Sequence, residues 1–261
     1  MSESGKGLLA GKKILIMGVA NQRSIAWAIA KEYSAAGAEL AFSYQNERFK
    51  DKVEKLVEKE MPGSILLPCD VSSDEEIENM AAMLREKWGV LHGVVHSLAH
   101  AKREELDGKY VHTSREGFLM AHEVSAYSLP AVAEKLYPLM SEGGSIVTLT
   151  FQGSERVIPN YNVMGVAKAS LEASVRYLAS DLGAEGIRVN AVSAGPIRTL
   201  SAKGVKNFNG LLDGMEERTP LRRLPGADEV AKAALFLASD LSSAVTGTVL
   251  YADGGFNLTG A

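Results

Sequence analysis

The sequence predicts an α/β protein built on a doubly wound, mostly parallel sheet with helices on both faces. Three observations predict it. Short apolar runs alternate with longer amphipathic segments from the amino terminus onward, the βαβ pattern that builds parallel sheets. The runs are continuously apolar, as strands covered on both faces require. The length of 261 residues suits one large domain, and no Pro- or Ser-rich linker or solenoid repeat divides it.

Lys12–Met17 (KKILIM) reads as the first strand, and Ser24–Ala36 as a helix stopped at Gly37. Glu39–Tyr44 is a second strand, and Asn46–Glu60 a charged helix broken by Pro62-Gly63. Ser64–Pro68 is a third strand. Asp74–Trp88 is an amphipathic helix with Ser72 or Ser73 as its N-cap. Leu91–Ser97 is a fourth strand. Residues 115–140 read as one long helix, ended by Gly143-Gly144, and Ser145–Thr150 as a fifth strand. Tyr161–Leu182 is an alanine-rich long helix and Ile187–Val192 a sixth strand. Residues 198–224 are irregular and punctuated by Gly204, Gly210 and Gly214. Asp228–Ala238 is a helix, and Thr248–Tyr251 is the last strand. A ligand of such a sheet sits outside the carboxyl ends of its strands, where strand order reverses.

A formal charge of −4 argues against nucleic-acid binding, which needs a basic surface. Hydrophobic residues make up 46% and charged residues 23%, as in ordinary soluble proteins. Residues 1–10 lack the apolar core of a signal peptide, and no apolar run approaches the roughly 20 residues of a membrane span. The expectation is a cytoplasmic protein with no membrane or nucleic-acid partner. Cys69 is the only cysteine, so no intrachain disulfide can form. Its apolar neighbours mark it as a small core residue. No Cys/His/Asp/Glu grouping has zinc spacing, so no metal site is expected.

The first strand runs into Gly18-Val19-Ala20-Asn21-Gln22-Arg23-Ser24-Ile25-Ala26. Gly18 allows a tight turn, Ala20 and Ala26 leave the backbone open, and Ser24 stands near a helix N-terminus that favours a pyrophosphate. A plain β–α turn with a serine cap accounts for the same residues. The second strand ends in Ser43-Tyr44-Gln45-Asn46-Glu47-Arg48, with neutral Gln45 where a ribose-holding acid is usual. That favours NADH over NADPH, with Arg48 and Lys50 the groups that keep the phosphorylated form open. Asp70 and Val71, after the third strand, are placed to hold adenine, though Asp70 would also serve as a turn cap.

Tyr161 and Lys168 are seven residues apart on one predicted helix. Seven steps return to within about 20° of the same face, with roughly 10 Å of rise. Side chains lean toward the helix N-terminus, so Lys168 can reach back toward Tyr161. Alone, two ordinary helix residues would explain the spacing.

The chain from Gly18 to Gly255 resembles the NADH-dependent enoyl-[acyl-carrier-protein] reductases, divergent members of the short-chain dehydrogenase superfamily with a Rossmann-type fold. The resemblance rests on VANQRSIAWAIA, DVSSDEEI, VHSLA, SREGFLMAH, ERVIPNYNVMGVAKASLEASVRYLA, RVNAVSAGPIRTL and DGGF, in order. It also rests on Tyr-x6-Lys in place of the Tyr-x3-Lys of most of the superfamily, including its ketoreductases. No tyrosine here has a lysine four positions later.

The resemblance implies roles for these residues. Gly18, Ser24, Ile25, Gln45, Asp70, Val71 and Leu98 would contact the dinucleotide. Ile197, Thr199, Leu200 and Ser201 would lie on its nicotinamide and pyrophosphate side. Lys168 would hold the nicotinamide ribose, and Tyr161 would bond the substrate's thioester carbonyl. Ala101, Phe151, Met164 and Phe208 would line the acyl pocket, with residues 198–224 as a substrate-binding lid. Acyl-carrier protein would be the partner and a homotetramer the assembly. Lys203, Lys206, Arg218, Arg222 and Arg223 could receive an acidic carrier or be an ordinary solvated loop.

Phe151 stands where the family usually has a second tyrosine, although mycobacterial-type relatives resemble this chain there. His100 is unusual in a loop that borders an acyl pocket, with a rim position or an influence on substrate choice both open. His96 and His122 match the family pattern and read as structural. A dinucleotide-binding regulator without catalysis would be the reading from another class, but it would be free to lose Tyr161 or Lys168. From Gln45, NADH is expected to give the higher kcat/KM. Steady-state assays with both cofactors check this, and a tenfold preference for NADPH would refute it.

Overall fold

The structure is a computed structural model that describes residues 7–197 and 215–259. Its strands are β1 (Lys13–Met17), β2 (Glu39–Tyr44), β3 (Ile65–Pro68), β4 (Gly93–His96), β5 (Gly144–Thr150), β6 (Ile187–Ala194) and β7 (Val249–Ala252). All pair in parallel in one sheet of order β3-β2-β1-β4-β5-β6-β7. The helices are α1 (Ile25–Ala35), α2 (Glu47–Glu60), α3 (Asp74–Trp88), α4 (Arg115–His122), α5 (Ser128–Leu136), α6 (Asn162–Leu182), α7 (Met215–Arg218), α8 (Ala227–Ala238) and α9 (Phe256–Thr259).

The continuous apolar runs are explained by two cores, one on each face of the sheet. In β1, Ile14 and Ile16 enter the core shared with Trp27 and Tyr33 of α1, Val53 of α2 and Val230 of α8. Leu15 and Met17 enter the core shared with Ile77 of α3, Leu129 of α5 and Leu171 of α6. The two-residue side-chain period of a strand makes this division. Asn46 caps α2 and Ser73 caps α3 by accepting N–H groups of their first turns.

The expected unbroken helix over 115–140 is corrected. A π turn over Glu123–Tyr127 separates α4 from α5, and a 3₁₀ turn over Tyr137–Leu139 ends the run. Two serines, one within the wider turn and one just after it, explain its position. Ser125 is fully buried; its Oγ accepts the His100 N–H at 2.9 Å and donates to the His100 carbonyl at 3.2 Å. Ser128 Oγ lies 2.8 Å from His96 Nε2, and Thr148 Oγ1 lies 3.0 Å from His96 Nδ1. Two serines therefore hold the end of β4 and the loop after it.

Strand order reverses between β1 and β4, so the connections on either side diverge and leave a crevice at their carboxyl ends. The two chain segments meet closely there. Gly18 has φ 95°, and a Cβ at this position would stand 2.0 Å from the Ser97 carbonyl oxygen, so only glycine fits. Among the described residues, no helix is long and apolar enough to cross a membrane.

Ser125→Ala is expected to lower stability by about 1–3 kcal/mol, because the backbone groups of His100 lose their buried partner. Urea denaturation measures this, and an unchanged midpoint would show that His100 is held by other means.

Candidate active site

The crevice at the switch point is a cleft of about 520 Å³. Gly18, Gln45, Asp70, Val71 and Leu98, all expected at a dinucleotide, line it together. Gln45 Nε2 donates to Asp70 Oδ2 at 2.9 Å, and Ser72 donates to Asp70 Oδ1 through both its N–H, at 3.0 Å, and its hydroxyl, at 2.7 Å. Burial opposes the charge on Asp70, but the bonds from Ser72 and Gln45 together outweigh it and hold its pKa below the ordinary carboxylate value. Asp70 is thus both a turn residue and a cleft-wall acceptor. Cys69 beside it is buried, and that burial pushes its thiol up to about 12, as for an unreactive core residue.

Ser24 is not among the cleft residues, but its Oγ accepts the N–H of Ala20 at 3.0 Å and of Asn21 at 3.1 Å, bracing the cleft's first loop. Its side chain caps no N–H of the α1 first turn. That end of the helix keeps the donors and dipole that suit a pyrophosphate. Ile25 and Ile197 pack partly buried against the core beneath the loop ends. Thr199, Leu200, Ser201 and Phe208 lie outside the described residues, as do Lys203 and Lys206 and most of the expected lid.

Tyr161 is the N-cap residue of α6, held between two residues of left-handed backbone, Asn160 at φ 61° and Asn162 at φ 35°. Asparagine tolerates that region better than most side chains. Lys168, about two turns further along the same helix, is 5% exposed. The expected reach of Lys168 toward Tyr161 is corrected: Nζ donates to the Leu149 carbonyl at 2.8 Å and to the Leu98 carbonyl at 3.5 Å. A buried ammonium must find acceptors, and those within hydrogen-bond distance here are carbonyls at the end of β5 and in the loop after β4. Burial pulls the Lys168 pKa down to about 8, against the charge of Glu172, which raises it. Burial, and then Glu172, push the Tyr161 phenol above its usual value, so it remains an O–H donor at neutral pH.

Tyr161 joins Ala101 and Met164 in a small apolar cluster with Leu106, Ala121 and Ala167. Phe151 meets Tyr161 edge-on, with ring centroids 5.1 Å apart and planes at 76°. Three of the expected acyl-pocket residues therefore surround the phenol. His100 is exposed at the cleft rim, and its backbone rather than its ring is held in place. His96 is fully buried between two hydroxyls, and burial followed by the Lys168 charge pulls its pKa down to about 3. His122 stacks on Phe118 at 3.9 Å and pairs with the Phe118 carbonyl at 2.9 Å. Arg223 is not a free cation, because Glu229 takes both its terminal nitrogens at 2.6 Å.

Some residues escaped the sequence reading. Phe49 of α2 and Met120, Glu123 and Val124 of the α4 region complete the cleft wall. No motif announces them, because they come from helices remote in sequence. A Cβ on Gly153 would stand 2.3 Å from the Tyr161 ring, and one on Gly165 would stand 2.5 Å from the Gly153 carbonyl oxygen. These two glycines let the turn before α6 press against the phenol; their positions around Tyr161 were the available signal.

A doubly wound parallel sheet with a cleft at its switch point, and a Tyr–Lys helix whose lysine bonds the cleft-wall carbonyl of Leu98, defines a dinucleotide-dependent oxidoreductase of short-chain dehydrogenase architecture. Residues 18–257 match the family described as Enoyl-(Acyl carrier protein) reductase, and the chain belongs to that family. It is 56% identical over 252 residues to the NADH enoyl-[acyl-carrier-protein] reductase FabI of Bacillus subtilis, covering 96% of this chain and 98% of that protein. It is 48% identical over 253 residues to the FabI of Escherichia coli, covering 97% and 96%. The solved Bacillus cereus enoyl-acyl carrier protein reductase with NADP+ and an indole naphthyridinone superposes with a TM-score of 0.96 at 54% identity, covering 98% of this chain and all of that one. The Anaplasma phagocytophilum reductase with NAD gives 0.92 at 47%, covering 100% and 97%.

Gly153→Ala is expected to cut kcat at least tenfold, or about 1.4 kcal/mol of barrier, by displacing the Tyr161 ring. Turnover with an enoyl thioester measures it, and full activity would mean that the ring position is not critical.

Proposed function

We propose that this chain is an NADH-dependent enoyl-[acyl-carrier-protein] reductase that saturates the α,β double bond of a trans-2-enoyl thioester, with Tyr161 as donor to the thioester oxygen and Lys168 as holder of the nicotinamide ribose. One observation carries the assignment of the pair: Lys168 Nζ reaches the carbonyl of Leu98, a residue of the cleft wall, from the helix that begins at Tyr161. The cleft's volume, its Gln45–Asp70 end and the open α1 terminus fit a dinucleotide.

NADH, when bound, supplies the hydride that adds to the β-carbon of the enoyl thioester. The protein's residues handle the consequences. Negative charge gathers on the thioester oxygen as the substrate becomes an enolate. The Tyr161 hydroxyl stabilises that oxygen as a donor, and its raised pKa keeps the proton in place until it is needed. Lys168 keeps its charge below about pH 8, supporting ribose binding. Phe151 and Met164 exclude water around the phenol and wall the acyl chain. Protonation at the α-carbon completes the reduction.

The reading includes acyl-carrier protein as the bearer of the substrate, one domain over residues 1–261 and a cytoplasmic homotetramer. Val166 and Tyr177 of α6, exposed and apolar, support contact between copies. The same superfamily's ketoreductases are the alternative, against which the Tyr-x6-Lys spacing stands. Loss of NADH absorbance with crotonyl thioester but not with acetoacetyl thioester is the deciding result; the reverse pattern refutes the reading.

Tyr161→Phe is expected to lower kcat by about 10²–10³ with an unchanged NADH Kd. Phe151→Tyr is expected to change kcat by less than roughly tenfold, about 1.4 kcal/mol. Kinetics and cofactor fluorescence titration check both. If Tyr161→Phe keeps full activity while Phe151→Leu abolishes it, the oxyanion donor has been misassigned.

A further inference from the structure

The mechanism leaves the buried carboxylate of Glu172, on the helix that bears Tyr161 and Lys168, without a task. Glu172 is 6% exposed and lies four residues after Lys168, on the same stripe of α6. Thr150 Oγ1, at the carboxyl end of β5, donates to Glu172 Oε1 at 2.5 Å. A carboxylate is not buried beneath a sheet for want of a smaller residue. Its removal from water costs several kcal/mol unless an opposite charge and hydrogen bonds compensate it.

The opposite charge is Lys168. That ammonium is equally buried, and its two hydrogen-bond partners are neutral carbonyls. We propose that Glu172 is a positioning residue: its carboxylate, oriented by Thr150, is the fixed counter-charge that keeps Lys168 an ammonium on the Leu98 and Leu149 carbonyls, ready for the cofactor ribose. This rests on the functional reading of Lys168 given above.

The groups facing Lys168 among the described residues are few. Tyr161 and Glu172 share its helix, and His96 faces it from β4 as a neutral ring. β5 and the loop after β4 present only backbone carbonyls. Glu172 also faces Tyr251, which is hydrogen-bonded to Glu155. The sign follows from burial. Desolvation pulls the Lys168 pKa down to about 8 and the Glu172 charge holds it up. Without that charge Lys168 loses its proton at lower pH, and the alkaline fall in cofactor binding begins earlier.

The test is the pH dependence of NADH binding, read by cofactor fluorescence in the full-length protein. Glu172→Gln keeps the acceptor for Thr150 and removes the charge. Its alkaline midpoint is expected to fall by on the order of one pH unit, roughly a fivefold loss of binding at the pH of the wild-type midpoint. Thr150→Val leaves the charge and is expected to move the midpoint much less. A folded Glu172→Gln protein with an unmoved midpoint overturns the proposal. If Glu172→Gln does not fold, Lys168→Met is added to it. Recovery of folding then shows that the uncompensated ammonium was the fault, and continued failure overturns the proposal. Failure of the wild type to oxidise NADH with crotonyl thioester would instead refute the functional reading, since the inference is read on binding and folding alone.

Discussion

The burial of the Lys168 ammonium is the constraint on which the site depends. A charged group at 5% exposure must find acceptors, and it finds the carbonyls of Leu98 and Leu149. Those bonds tie α6 to the end of β5 and to the loop after β4. The cofactor cleft and the helix bearing Tyr161 are thereby joined through one nitrogen. A neutral side chain of the same length would leave the carbonyls weaker partners and the cleft wall less firmly tied.

The loop that supplies Leu98 is itself built to hold still. Ser125 grips the backbone of His100 and Ser128 meets the ring of His96, so residues 96–100 are held at both ends from the α4–α5 region. The π turn between those helices belongs to this arrangement. Gly18 closes the opposite side by approaching the Ser97 carbonyl. Three separate parts of the chain thus define one short loop, the fixed support that the proposed ribose site requires.

Around Tyr161 the same economy of space holds. Gly153 and Gly165 permit contacts no other residue would allow, and Phe151 completes the ring's environment from β5. With phenylalanine at 151, the phenol that meets this ring is Tyr161, the residue to which the proposed mechanism gives oxyanion stabilisation. One of the basic residues of the 198–224 segment differs from its sequence appearance: Arg223 is committed to Glu229 and does not stand as a free charge.

The sequence by itself determined the alternation of strands and helices, nearly all their ends, the switch-point glycine and the Tyr161–Lys168 helix. These are written in local periodicity and turn chemistry, which a short window of residues carries whole. It also carried the family, through the order and spacing of its segments. Only the tertiary structure decided where the Lys168 nitrogen points, because its carbonyl partners are 19 and 70 residues away. The same holds for the π turn, set by contacts to His96 and His100, and for the pairing of Thr150 with Glu172 across 22 residues. Local pattern says which residues will be buried; which buried polar groups satisfy one another depends on how the packed elements meet.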